Sequence, residues 1–167
     1  MEIKRTFTVN KPIDEVWDVL GNDFGGAYKW GSGLYHSEGY GAPELEGASC
    51  NNRACQTNLG DIKEVIRTFD PQKHILEYEV IEGFPGFVKS GVNKWTLTPQ
   101  GGKQTRVDVH FVAELQGLLG TLMRPMMGWQ MGRTFDQVLG DFKYYVENGR
   151  PSPNKLKEIN KRAAKAA

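Results

Sequence analysis

What the chain lacks narrows its possibilities first. It has two cysteines and three histidines in 167 residues. Cys50 and Cys55 stand five apart in a strand-like stretch, on opposite faces, so no intrachain disulfide is expected. No Cys/His spacing suits a metal, and none is expected. GxGxxG, P-loop, HExxH and GxSxG patterns are all missing, which removes the usual marks of cofactor-driven, metal-driven and serine-driven chemistry. No cofactor is expected. No apolar run approaches the length of a membrane span. The opening MEIKRTFTV is a charged strand pattern rather than a secretory leader. These features predict a reduced, cytoplasmic protein with no transmembrane segment. Neither sign of charge dominates: the net is +1, which gives no pull toward nucleic acid.

The charge is nevertheless uneven. From Arg150 onward six Lys/Arg face one Glu, a net of +5, while residues 1–149 carry 15 Lys/Arg against 19 Asp/Glu, a net of −4. The length suits one domain with its own core, here residues 1–149, followed by a basic tail, 150–167, as a short helix or a disordered end. If the tail is helical, Leu156 and Ile159 are its inward residues.

What is present is a long helix in need of a sheet. Between Gly117 and Glu147, apolar residues recur at steps of three and four: Leu119, Leu122, Met123, Met126, Met127, then Phe135, Val138, Leu139, Phe142 and Val146. Arg124, Arg133, Asp136, Asp141 and Lys143 fall between those steps, toward water. Pro125 either begins the helix or kinks it. Ahead of it, Glu2–Val9 alternates as a strand, Asn10 is placed to cap a helix that Gly21 ends, and residues 23–30 suit a second short helix. Strands are predicted at 35–40, 48–57, 62–69, 75–81, 88–98 and 105–114, separated by turn residues close enough for hairpins. The fold class is therefore α+β: one curved antiparallel seven-stranded sheet around a long C-terminal helix, with two short helices after the first strand.

The order of motifs resembles a known family. FTVNKPIDEVWDVL, Tyr28-Lys29-Trp30, Gly47 followed by Arg53-Ala54-Cys55, and Glu64 ahead of Asp70-Pro71 come in sequence. Leu76–Gly83 followed by Pro85, Asn93–Leu97 and the closing helix complete the series. Over residues 1–149 this is similar to the START-like helix-grip (SRPBCC) superfamily, in its polyketide cyclase/dehydrase branch. The resemblance implies a helix-grip fold with an internal cavity for an apolar small molecule, and it implies no single reaction.

Strand parity assigns inward faces. Glu64 shares a face with Ile62 and Ile66, Tyr78 with Leu76 and Val80, Trp95 with Asn93 and Leu97, and Phe111 with Val107 and Val109. For Arg53 and Cys55 the resemblance, not periodicity, supplies the inward direction. A hairpin around Leu59-Gly60 places Arg53 and Glu64 diagonally adjacent. Desolvation requires such groups to pair with each other or with a ligand. Arg53, Glu64 and Tyr78 are therefore the candidate catalytic groups. Tyr28, Trp30, Cys55, Asn93, Trp95, Phe111, Met123, Met127 and Met131 are the candidate ligand-binding residues. His36, His74 and His110 read as surface residues.

Three functions fit. The first is binding of an apolar or aromatic small molecule, lipid-, quinone- or polyketide-like, between sheet and helix. The second is a cofactor-independent cyclase, aromatase or dehydratase using Arg53, Glu64 and Tyr78. The third is an interaction module using the basic tail. No nucleic-acid partner is expected, and monomer and homodimer both remain open.

Overall fold

A computed structural model describes residues 1–166. Seven strands form one antiparallel sheet: β1 (Glu2–Val9), β2 (Leu34–Tyr40), β3 (Asn52–Thr57), β4 (Gly60–Asp70), β5 (Ile75–Glu82), β6 (Val88–Pro99) and β7 (Thr105–Leu115). Their spatial order is β1-β7-β6-β5-β4-β3-β2. β2 to β7 form a meander, its turns short except for the eleven residues between β2 and β3. The longest excursion between strands, from β1 to β2, carries α1 (Ile13–Trp17), which continues as a wider turn over Asp18–Asn22, and then a 3-10 helix at Phe24–Lys29. The long helix α2 spans Gly117–Asn148, and α3 spans Pro153–Ala166.

The sheet's inner face and α2 enclose the core. Phe142 sits at its centre, edge-on to both Trp30 and Trp95 at 5.0 and 5.2 Å between ring centroids. Leu139 and Val146 lie one turn either side of it, buried in the same cluster as Leu97, Val107 and Val109. Trp17 joins from α1 against Phe69. Gly149, left-handed at φ +66°, closes α2 by donating to the Tyr145 carbonyl.

Several expectations need correction. The third strand begins at Asn52 rather than residue 48, because Gly41 and Gly47 turn left-handed and an Ala48-to-Leu45 hydrogen bond folds that segment off the ladder. Pro12, not Asn10, precedes α1; Asn10 instead binds the Glu147 carboxylate through its backbone and side-chain nitrogens. Helical winding runs through Gly21 to Asn22. Pro125 does not begin α2, which starts eight residues earlier at Gly117. The apolar stripe of α2 does not all face inward: Leu119, Leu122 and Met126 are exposed.

Asp141 is buried, not solvent-facing. It accepts hydrogen bonds from the Ser152 hydroxyl and from the Ser32 backbone amide. Ser152 also accepts the Lys155 backbone amide, which caps the start of α3. The residue that α3 inserts is a cation, Lys155, whose ammonium donates to the carbonyls of Gly31 and Leu34 and to Glu158. Leu156 and Ile159 are exposed instead. An ammonium there donates to two carbonyls and a carboxylate at once, where a leucine could donate to none.

Candidate functional site

The two-residue turn at Asn58-Leu59 sets the β3–β4 register. It places Arg53 directly opposite Glu64, not diagonal to it. Arg53 Nε donates to Glu64 Oε2 at 2.6 Å, and Cys55 Sγ donates to the same oxygen at 3.4 Å. Arg53 Nη1 donates to the Phe24 carbonyl at 2.8 Å. The guanidinium carbon lies 4.0 Å from the centroid of the Phe24 ring and 5.0 Å from that of Tyr78. Phe24, on the 3-10 helix, thus supplies both an acceptor and an aromatic face to a buried cation. Sequence reasoning missed this role, because an aromatic residue before two glycines carries no mark of it.

The pair is almost wholly inside. Burial works against the Arg53 charge, yet the Glu64 carboxylate holds the guanidinium protonated beyond its ordinary value. Burial pushes the Cys55 thiol up to about 12 despite the nearby Arg53. Burial likewise raises the Tyr78 hydroxyl against the same opposing cation. At neutral pH both therefore keep their protons.

One strand further, a row of side chains crosses the sheet: Ile66, Tyr78, Asn93, Phe111 and Ile3 are register neighbours. Asn93 Nδ2 donates to the Tyr78 hydroxyl at 2.8 Å. Asn93 Oδ1 is buried and has no hydrogen-bond partner among the described residues, while Trp95 Nε1, buried on the same face, makes no well-formed bond and has only the Tyr78 hydroxyl within reach. Each such orphan costs about 1–3 kcal/mol when nothing satisfies it. An acceptor without a partner and a loosely held donor thus lie near the Arg53–Glu64 pair.

The remaining candidate residues disperse. Trp30 is buried against Phe142. Tyr28 lies beside the His36 ring, 5.3 Å between centroids. Phe111 packs on Phe135, with Met131 in the same cluster as Ile3 and Ala113. Met123 and Met127 are partly buried on α2. Among the histidines, His110 meets Glu2 on the outer face, and His74 packs edge-on to Trp17. Two open depressions, about 430 and 580 Å3, lie at the amino-terminal end of α2. Met1, Lys89, Gly120 and Arg124 help line the first, and Phe87 and Leu119 the second. None of the candidate ligand-binding residues borders either one.

The fold has many relatives. The START superfamily protein from Mycobacterium smegmatis superposes with a TM-score of 0.69 at 13% identity, over 87% of this chain and 97% of that one. The Zhui aromatase/cyclase from Streptomyces sp. R1128 does so with a TM-score of 0.68 at 18% identity, over 91% and 99%. A conserved protein from Geobacillus kaustophilus gives 0.67 at 16%, over 90% and 97%. At such identities these likenesses speak for the fold alone. No curated protein matches the sequence. The family model for "Polyketide cyclase / dehydrase and lipid transport" matches residues 1–147.

The chain belongs to that family. Its α+β helix-grip architecture is the one the motif order implied. Membership in the polyketide cyclase/dehydrase and lipid transport family is compatible with either ligand binding or a cyclase role. No described helix is long and apolar enough to cross a membrane.

Proposed function

We propose that the protein binds an apolar or aromatic small molecule, lipid-, quinone- or polyketide-like, between the sheet and α2, with one polar end of that molecule held at Asn93 and Trp95. The observation that carries this reading is that, of the five buried side-chain atoms without a full hydrogen bond among the described residues, two, Asn93 Oδ1 and Trp95 Nε1, stand two residues apart on the inner face of β6. They stand among Ile66, Leu76, Phe111 and Ala113, on an inner face whose other polar groups, Arg53, Glu64 and Tyr78, are bonded to one another or to neighbouring residues, which favours a largely apolar ligand with a single polar group.

The same arrangement weighs against acid–base catalysis by Arg53, Glu64 and Tyr78. Arg53 is held by Glu64 and the Phe24 carbonyl, Glu64 also accepts from Cys55, and Tyr78 is protonated at neutral pH. Arg53 and Glu64 then act chiefly by tying β3 and β4 to the 3-10 helix. The tail has similar internal commitments. Lys155 is buried, and Arg162 stacks 4.0 Å over Tyr35, which supports a role for α3 in holding β2 and the turn before it rather than recruiting a partner.

The test is a thermal-shift screen of fatty acids, quinones and phenols, each paired with an analogue lacking its polar group. A rise in Tm with an apolar compound is expected. Asn93→Leu should weaken the polar-headed member about tenfold or more, the loss of a good buried hydrogen bond, and spare its analogue. A screen without any shift, or an Asn93→Leu protein that cannot tell the two apart from wild type, overturns the reading. Turnover of a polyketide chain by purified protein would favour the cyclase role instead.

A further inference from the structure

The amino-terminal half of α2 is apolar on two sides. Its inner side carries Gly120, Met127 and Met131, and its outer side carries Leu118, Leu122, Met126 and Trp129, spaced by four, four and three residues. The outer row is open to solvent: Leu118 is 92% exposed, Leu122 78% and Trp129 66%. A soluble surface rarely displays so many large apolar side chains in one line without something to cover them.

Charge says what covers them. Residues 115–135 contain Arg124 and Arg133 and no carboxylate. Arg133 lies over the Trp129 ring, 4.9 Å from its centroid, so a cation and an interfacial aromatic sit together at one end of the row. Of the two arginines, Arg133 lies on the row, and the acids that flank the segment, Glu114 and Asp136, are already paired with Lys89 and Arg5, so the segment keeps a net positive charge that a second copy would have to bring together. A surface that is apolar below and anionic above suits both features. The helix falls short of a spanning segment, so it lies along the surface. We propose that the outer face of residues 118–133 docks on the surface of an anionic lipid bilayer. The proposal is independent of what the interior holds.

The probe is vesicles of phosphatidylcholine with and without phosphatidylserine, mixed with the full chain and no added ligand. Trp17, Trp30 and Trp95 are buried, so a blue shift of tryptophan emission on adding vesicles reports Trp129. Co-sedimentation with anionic vesicles, the blue shift, and partial release by high salt are expected. Leu122→Asp should reduce partitioning about tenfold or more, the equivalent of one lost leucine insertion. Leu156→Asp, an equivalent change on the exposed side of α3, should leave it unchanged. Failure to sediment, or equal sedimentation by Leu122→Asp, overturns the proposal. So does a wild-type dimer in sedimentation velocity that Leu122→Asp converts to monomer, because a second copy then covers the row.

Discussion

The two halves of α2 share one helix and nearly the same apolar content, yet they live in different solvents. From Phe135 on, Leu139, Phe142 and Val146 are buried against the sheet, with Phe142 wholly enclosed by Trp30 and Trp95. Before Phe135, the largest apolar side chains face water. Apolar content therefore does not fix burial. What differs is the partner opposite: the wide sheet centre for the second half, and only the Met1–Ile3 end of β1 with the end of β7 for the first.

The sharpest way to break this contrast is a pair of truncations. Phe142→Ala should cost about 3–5 kcal/mol, the transfer loss of the ring plus the cavity it leaves. That corresponds to a Tm lower by roughly 6–20 °C for a chain of this size. Leu122→Ala should stay within about 0.5 kcal/mol of wild type, as exposed substitutions do. Urea or thermal melts decide it. Comparable losses at both positions would mean that the first half is packed as well as the second.

How far the sequence foretold this can be read from the same helix. Periodicity predicts that Gly117–Glu147 is helical, and the structure extends it by one residue. Periodicity cannot tell an inner stripe from an outer one when both are apolar, so it puts Leu119, Leu122 and Met126 in one stripe with residues that are buried. Parity within each strand placed Glu64, Tyr78, Asn93 and Trp95 on one face, because alternation is local. The exact opposition of Arg53 and Glu64 depended on a single turn residue, and one residue of error there changed a facing pair into a diagonal one. Asp141 and Lys155 were illegible, since a charged residue is normally outside and their burial depends on carbonyls and amides of the Gly31–Leu34 turn, far away in sequence. Phe24 was illegible for the same reason.

A gain of stability tests the loosely held half from the other direction. Gly128 sits in mid-helix, where glycine costs about 1 kcal/mol relative to alanine. A methyl group there meets only Met1 Sδ, at an ordinary 3.9 Å. Gly128→Ala should therefore raise Tm by roughly 2–4 °C. A fall in Tm would reveal closer packing around Met1 than the contrast between the halves allows.

The smallest effect lies at the junction of the halves. Arg5 on β1 reaches across to Asp136, with Nε 2.6 Å from Oδ1 and Nη2 3.3 Å from Oδ2. The hydrogen bond from Arg5 holds the Asp136 carboxyl below the usual aspartate range. A carboxyl with a depressed folded-state pKa adds stability that is present above the ordinary aspartate value and is lost as pH falls through the lowered one. Both side chains face solvent, so the contribution is below about 1 kcal/mol and is screened by salt. Asp136→Asn should thus cost little at neutral pH and nothing in acid, so that the difference from wild type closes as pH falls. Hydrogen exchange along α2 localises the loss. If the pair pins the junction, amides before Phe135 should exchange faster in Asp136→Asn at neutral pH, while those around Phe142 stay protected. Equal exchange in both proteins would leave the Phe111–Phe135 contact as the tether that separates a packed half from an open one.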